Sequence, residues 1–233
     1  MVSQKVVILD AGAQYGKVID RRVRELNVES EILPLSTPVE TLKGYKAIII
    51  SGGPQSVYGK DAPKYDPELF SLDVPILGIC YGMQLINFLS GGSVAKGVIR
   101  EDGQCFIDVK PNAVLFKGLS AKQEVLMSHG DSIDTPAQGF EVVASSGTIP
   151  AAIQNLQSKR FGVQFHPEVD LTINGRSILK NFLFDICGFE GSFTPRSRQE
   201  QAIEYIKETV GDKQVLLLVS GGVDSTVLAA LLH

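Results

Sequence analysis

Pro75-Ile76-Leu77-Gly78-Ile79-Cys80-Tyr81-Gly82-Met83-Gln84 is the stretch from which this chain is best read. An apolar run rises to Ile79 and stops at a cysteine. Gly78 and Gly82 flank it, and helical spacing begins at once with Met83, Leu85, Ile86 and Leu89. The pattern is that of a nucleophile elbow: strand, tight turn carrying the nucleophile, helix. Glycines beside the turn are expected to let the backbone bend and to leave room for an incoming carbonyl. The helix N-terminus behind it favours negative charge, and so the thiolate. The plainer reading is a small buried hydrophobe, which free cysteines usually are. The flanking sequence has to separate the two.

Upstream, short apolar runs alternate with helical spacing. Val6–Leu9 ends at Asp10-Ala11-Gly12, and Val18–Leu26 carries an apolar stripe with charge opposite. Glu31–Leu35 and Ala47–Ile50 follow, the latter ending in Ser51-Gly52-Gly53-Pro54, and Ile76–Ile79 is the fourth run. Strands alternating with helices predict a parallel α/β sheet covered on both faces, with its active site at the carboxyl ends of the strands. Downstream, Ser93–Ile99, Gln104–Val109, Glu124–Met127, Phe140–Ala144, Ala151–Gln154 and Phe161–Phe165 are short and β-rich, which predicts hairpins or an antiparallel extension. A helix is expected over Arg176–Cys187. The Gly188–Pro195 stretch marks a boundary between domains at 1–193 and 194–233.

Composition narrows the class. The 233 residues are 44% hydrophobic and 21% charged, as in an ordinary globular protein. A net charge of −4 gives no reason to expect nucleic acid or an acidic membrane as partner. Cys80, Cys105 and Cys187 form no CxxC pair, which argues against zinc and for a reducing compartment, with Cys105 and Cys187 as packing residues. Without a signal-like segment or a spanning run, a cytoplasmic protein is expected.

A cysteine nucleophile needs a base, and the base an orienter. His166 follows the expected Arg160–Phe165 strand in Gln164-Phe165-His166-Pro167-Glu168. Pro167 restricts His166 to extended geometry, and in extended chain residues two apart project to one side, so His166 and Glu168 are placed to pair. A lone His-x-Glu is more often structural; an elbow cysteine elsewhere shifts that balance. Thiolate attack on an amide makes an oxyanion, for which the amides of Tyr81 and Gly53 are the candidate donors. His129, in Ser128-His129-Gly130-Asp131-Ser132, is set aside as base because no carboxylate is placed for it as Glu168 is for His166.

Gly78–Gln84, Ser51–Pro54 and His166–Glu168, in this order, resemble the class I glutamine amidotransferases over roughly the first four-fifths of the chain. The resemblance implies a flavodoxin-like α/β fold, its central sheet mainly parallel with antiparallel additions. It implies hydrolysis of glutamine to glutamate and ammonia through a thioester on Cys80, without a cofactor or metal. His166 would be base and then acid, Glu168 its orienter, and Gly53 and Tyr81 the oxyanion hole. Gln84, Ser128, His129, Gly130 and Asp131 would bind glutamine.

A second motif lies near the end. Val215–Val219 reads as a buried strand running into Ser220-Gly221-Gly222-Val223-Asp224-Ser225-Thr226, with a helix from Asp224 to Leu232. Successive glycine and hydroxyl-residue amides at a helix N-terminus make an anion nest. No lysine follows, so this is not a Walker A loop. An ordinary strand–turn–helix with Asp224 or Ser225 as N-cap is the alternative. The run resembles the PP-loop of the ATP pyrophosphatases, and here would be the truncated start of such a Rossmann-like domain. That implies ATP bound at Ser220–Thr226, with Mg2+. Together with Ile8–Tyr15 and Arg21–Glu25, the pairing resembles the glutamine-hydrolysing ligases that aminate XMP, with a synthetase domain as partner. Two other readings stay open: a free-standing γ-glutamyl hydrolase or cysteine peptidase on the same elbow, and a non-catalytic nucleotide-binding regulatory module.

Overall fold

A computed structural model describes residues 4–13 and 15–232; Gln14, from the opening motif, and His233 lie outside the described residues. The chain divides into two compact units, Met1–Glu190 and Gly191–His233. In the first, the elements run β1 (Lys5–Asp10), α1 (Gly16–Glu25), β2 (Glu29–Pro34), α2 (Val39–Leu42), β3 (Ala47–Ile50), β4 (Ile76–Ile79), α3 (Tyr81–Leu89), β5 (Ser93–Val109), β6 (Lys122–Thr135), β7 (Glu141–Ser146), β8 (Ile149–Asn155), β9 (Arg160–Val163) and α4 (Gly175–Lys180). The strands form one mixed sheet in the order β2-β1-β3-β4-β9-β8-β7-β5-β6.

From β2 to β9 every pairing is parallel; from β9 to β6 every pairing is antiparallel. The expectation that Phe161–Phe165 belongs to the antiparallel extension is therefore corrected. β9 is the seam, parallel to β4 on one side and antiparallel to β8 on the other. All four of its residues are buried, as are all of β3 and β4, which suits strands covered on both faces.

Residues two apart share a face, and the core divides accordingly. Val6, Ile8, Ile49, Leu77, Ile79 and Val163 pack with Ile19 and Val23 of α1 and with Ile178 and Leu179 of α4. Val7, Leu9, Ile48, Ile50 and Ile76 pack with Leu85 and Ile86 of α3. The helix expected over Arg176–Cys187 begins at Gly175 and widens into a π-helical turn at Asn181–Ile186, burying Phe182 and Leu183 completely. Cys80, Cys105 and Cys187 are free; Cys187 is buried and Cys105 half-buried against the core.

The two expected strands Ser93–Ile99 and Gln104–Val109 are one, β5, with a register shift between Lys96 and Glu101 against β6. Beyond that shift Glu101 stands opposite His129, and Asp102 opposite Ser128.

In the second unit α5 (Pro195–Val210) starts on a Thr194 cap, with Pro195 in its first turn, and ends at Gly211 at φ +53°. α6 (Val223–Leu232) matches the expected final helix to within a residue. The strand expected at Val215–Val219 is not formed. Residues 213–220 have no regular structure, and Leu216 and Leu218 are 88% and 84% exposed. A strand needs a hydrogen-bonded neighbour, and none of the described residues of this unit supplies one. No helix among the described residues is long and apolar enough to cross a membrane.

Candidate active site

β1, β3, β4 and β9 run parallel, so their carboxyl ends share one edge of the sheet, and the chemistry-bearing residues collect there. Cys80 follows β4 directly. Its backbone sits at φ 51°, ψ −104°, a conformation costly for a residue with a side chain. The Cys80 amide donates to Val163 O (2.8 Å), and its carbonyl accepts from Gln84 N (3.2 Å), clamping the turn between β9 and α3.

The flanking glycines serve a different purpose from the one expected. Neither Gly78 nor Gly82 takes a positive φ. A Cβ on Gly78 would lie 2.3 Å from the Gly82 carbonyl carbon, and one on Gly82 would lie 2.4 Å from Ile50 O. They let α3 press onto β3 and β4, and the strain of the elbow falls on Cys80 itself.

His166, just beyond β9, faces Cys80. Its main chain is fixed at both ends: the amide donates to Leu126 O (3.1 Å), and the carbonyl accepts from Thr172 Oγ1 (2.6 Å). Its Nδ1 is 2.8 Å from Glu168 Oε1, so a proton on Nδ1 is held by the carboxylate and Nε2 is left for the sulfur. Both side chains are buried, Glu168 almost completely. Burial alone would favour the neutral ring. Hydrogen bonds to Cys80 and Glu168, together with their negative charges, override it and push His166 up to about 10. Tyr15 lies edge-on to the His166 ring, with centroids 5.5 Å apart.

A cavity of about 410 Å³ opens over this pair, lined by Gly12, Tyr15, Gly53, Cys80, Arg100 and Ser128 among others. The Gly53 amide donates to no backbone or side-chain acceptor among the described residues. Tyr81 is the first residue of α3, where a helix leaves its amides without internal partners. A Cβ on Gly52 would press on the couple, coming within 3.2 Å of His166 Cε1 and 3.7 Å of Cys80 Cβ.

Of the residues expected to bind glutamine, Ser128 lines the cavity, whereas Gln84 and His129 are turned inward. Gln84 Nε2 donates to Asp131 O (2.8 Å) and to Gln164 Oε1 (3.1 Å). The Asp131 carboxylate hydrogen-bonds Ser56, and Gly130 lies between on β6. The view that His129 lacks a carboxylate is corrected: Glu101 Oε2 lies 3.0 Å from its Nε2, and Asp131 O lies 2.9 Å from its Nδ1. The register shift in β5 supplies the partner from a neighbouring strand.

Sequence reasoning passed over three residues. Gln164, fully buried, donates through Nε2 to Cys80 Sγ at 3.5 Å. Because Gln84 donates to its Oε1, the amide is oriented with its N–H groups toward the sulfur. Its place two residues before His166 was the available signal. Arg100 lies on the cavity rim, paired with Asp102, whose Oδ1 accepts from Ser128 Oγ at 3.2 Å. Ser51 lies beneath the floor of the cavity, within hydrogen-bond reach of Gly52 O and Asp10.

Comparison with known proteins gives a consistent result. The family model for glutamine amidotransferase class-I matches residues 7–186. The GMP synthase (glutamine-hydrolysing) of Dictyostelium discoideum is 52% identical, covering 99% of this chain and 34% of its own length. That of Clostridium tetani is 47% identical, covering 100% of this chain and 46% of its own. This chain therefore spans a third to a half of these relatives. A crystal structure of a Thermoplasma acidophilum protein, named as part of a GMP synthase, superposes with TM-score 0.71 at 29% identity, over 84% of this chain and 96% of that one.

Proposed function

The chain belongs to the class I glutamine amidotransferases, and on that premise we propose that Cys80, His166 and Glu168 hydrolyse glutamine to glutamate and ammonia. The observation that carries this assignment is the buried His166–Glu168 couple facing a strained Cys80 under an open cavity.

The steps follow from the geometry. Cys80 Sγ, as thiolate, attacks the side-chain amide carbon of glutamine. The carbonyl π electrons move to oxygen, which is met by the amides of Gly53 and Tyr81. His166 gives its Nε2 proton to the amide nitrogen, the C–N bond breaks and ammonia leaves. Water then attacks the thioester while His166 takes its proton. The C–S bond breaks, releasing glutamate and restoring Cys80. Glu168 holds the ring and offsets its charge throughout. Gln164 offers the sulfur a hydrogen bond. Ser128 lines the substrate cavity, and Gln84 and His129, both turned inward, hold the Ser128–Asp131 backbone from behind. Arg100 offers a cation for the substrate carboxylate.

In the longer protein, the ammonia is proposed to aminate XMP, activated with ATP cleaved to AMP and pyrophosphate, giving GMP in a cytoplasmic purine pathway. Ser220–Thr226 is proposed as the start of that ATP site. Gly221 is at φ +82° and α6 begins at Val223, so amides at the start of that helix face the turn, a feature that suits phosphate oxygens, while Ser225 Oγ and Thr226 Oγ1 donate to Gly222 O at 3.0 and 2.9 Å and brace it. Bound there with Mg2+, ATP would supply the adenylyl group that makes the XMP oxygen a leaving group.

Cys80→Ala tests the assignment. It should abolish glutamine hydrolysis with the melting temperature retained, while synthesis from added ammonia by a full-length enzyme carrying the substitution continues. Glutamine turnover persisting in Cys80→Ala would sink the assignment.

A further inference from the structure

One oxyanion donor belongs to helix α3 and is fixed with it. The other, the Gly53 amide, belongs to the Gly52–Gly53 peptide, in a turn that no helix or strand constrains. The described peptides are trans, so the Gly53 N–H points opposite to the Gly52 C=O. Whatever holds that carbonyl aims that amide.

The carbonyl is held by the side chain before it: Ser51 Oγ donates to Gly52 O at 2.9 Å. Ser51 is completely buried, and its oxygen accepts from Ala11 N at 3.0 Å, which pins the hydroxyl to the end of β1. With the carbonyl turned down toward this buried hydroxyl, the Gly53 N–H is turned up, toward the cavity that Gly52 and Gly53 line with Cys80 and His166. A Cβ on Gly53 would lie 2.7 Å from Ala11 O, so the turn rests on the β1 loop and has little room to shift as a body. Rotation of the peptide about its own axis is the freedom that remains.

We infer that Ser51 is a positioning residue for glutamine hydrolysis, its hydroxyl holding the Gly52–Gly53 peptide in the orientation that presents the Gly53 amide to the oxyanion. The inference rests on the proposed role of Cys80. The hydroxyl has one proton and a second acceptor within reach, Asp10 Oδ1 at 3.3 Å. Donating to Asp10 releases the Gly52 carbonyl and lets the peptide turn over, which removes the donor from the cavity. Asp10 Oδ1 also accepts from Gly12 N (3.0 Å) and Ala13 N (2.9 Å), both on the cavity wall, so a shift of that loop bears directly on the choice. A two-state element thus sits under the oxyanion hole, each state having a hydrogen-bond acceptor for the same proton.

The test separates the oxyanion hole from the thiol. A γ-aldehyde analogue of glutamine adds Cys80 Sγ to its carbonyl carbon and needs the hole, whereas alkylation by iodoacetamide displaces iodide and does not. In Ser51→Ala, aldehyde binding and kcat for glutamine should both fall about tenfold to a hundredfold, less than outright loss of a donor, which costs about 10²–10³. KM should change less than about threefold and the alkylation rate less than about twofold. Ser51→Thr, which keeps the hydroxyl, should restore most of the loss. Were Ser51→Ala to lose its melting transition, the isosteric pair Ser51→Thr and Ser51→Val would make the same comparison. Unchanged aldehyde binding and kcat would overturn the inference, as would equal losses in all three readouts, which would make Ser51 a support for the fold or the thiol. If neither reagent modifies Cys80 in the parent protein, the role of Cys80 fails first, and the inference with it.

Discussion

This domain holds two histidine–glutamate couples, and their surroundings differ. His166 and Glu168 lie two residues apart on one extended segment, 2.8 Å from each other. His129 and Glu101 lie 3.0 Å apart across two antiparallel strands. Each histidine is 6% exposed, so burial does not distinguish them. Their second ring nitrogens do. His129 has a carboxylate on one side and the Asp131 carbonyl on the other, and a ring between two acceptors has no nitrogen free for chemistry. His166 has one acceptor, and its other side faces a sulfur that can exchange a proton. A histidine–carboxylate couple becomes a base only when its remaining nitrogen meets a nucleophile beside an open cavity.

The largest expected effect tests that distinction directly. His166→Ala should lower kcat by about 10²–10⁴, the range of general acid–base catalysis. His129→Gln should change kcat by less than about tenfold, lowering the melting temperature and raising KM through the Ser128–Asp131 wall. Matched losses of kcat at both positions in steady-state assays would erase the contrast.

A smaller effect concerns charge. His166 is raised from 6.5 to about 10, so its charged form is favoured in the folded protein. The stability this contributes is fully present below pH 6.5 and is lost as pH rises through about 10. Glutamine turnover, which needs the His166 proton for the leaving ammonia, should hold up through neutral pH and fall on an alkaline limb near 10, whereas alkylation of Cys80, which needs only the thiolate, should not fall there. Glu168→Gln should move that limb to lower pH and reduce kcat about tenfold to a hundredfold, whereas Glu101→Gln should leave the limb in place. A pH–rate profile of the three proteins decides it.

The smallest effect lies on the rim. Arg100→Ala should raise KM for glutamine a few-fold with kcat nearly unchanged, since the residue is exposed and meets substrate away from the reacting bond. A fall in kcat with unchanged KM would place Arg100 nearer the chemistry.

Much of the fold was legible because its signals are local. The apolar runs at Ala47–Ile50 and Ile76–Ile79 are β3 and β4 to the residue, as expected of strands buried on both faces. The failures had non-local causes. Val215–Val219 has strand composition and, among the described residues of its unit, no strand to pair with. β9 looks like its antiparallel neighbours until its pairing with β4 is seen. Glu101 could not be matched to His129 because the β5 register shift is invisible in an alternating pattern, where a slip of one residue changes every pairing.

The site divides along the same line. By itself, the sequence determined the parts set within a few residues: the elbow at Cys80, the His166-Pro167-Glu168 couple and the glycines at the end of β3. Backbone restriction and side-chain alternation act between neighbours, so their consequences are written in adjacent letters. Only the tertiary structure decided what those parts meet. Gln164 reaches a sulfur 84 positions away, Ser51 joins Asp10 across 41, and His129 finds Glu101 across 28. Each contact depends on the order of strands in the sheet and on their register. These are settled by the packing of the whole core, which no short stretch of sequence encodes.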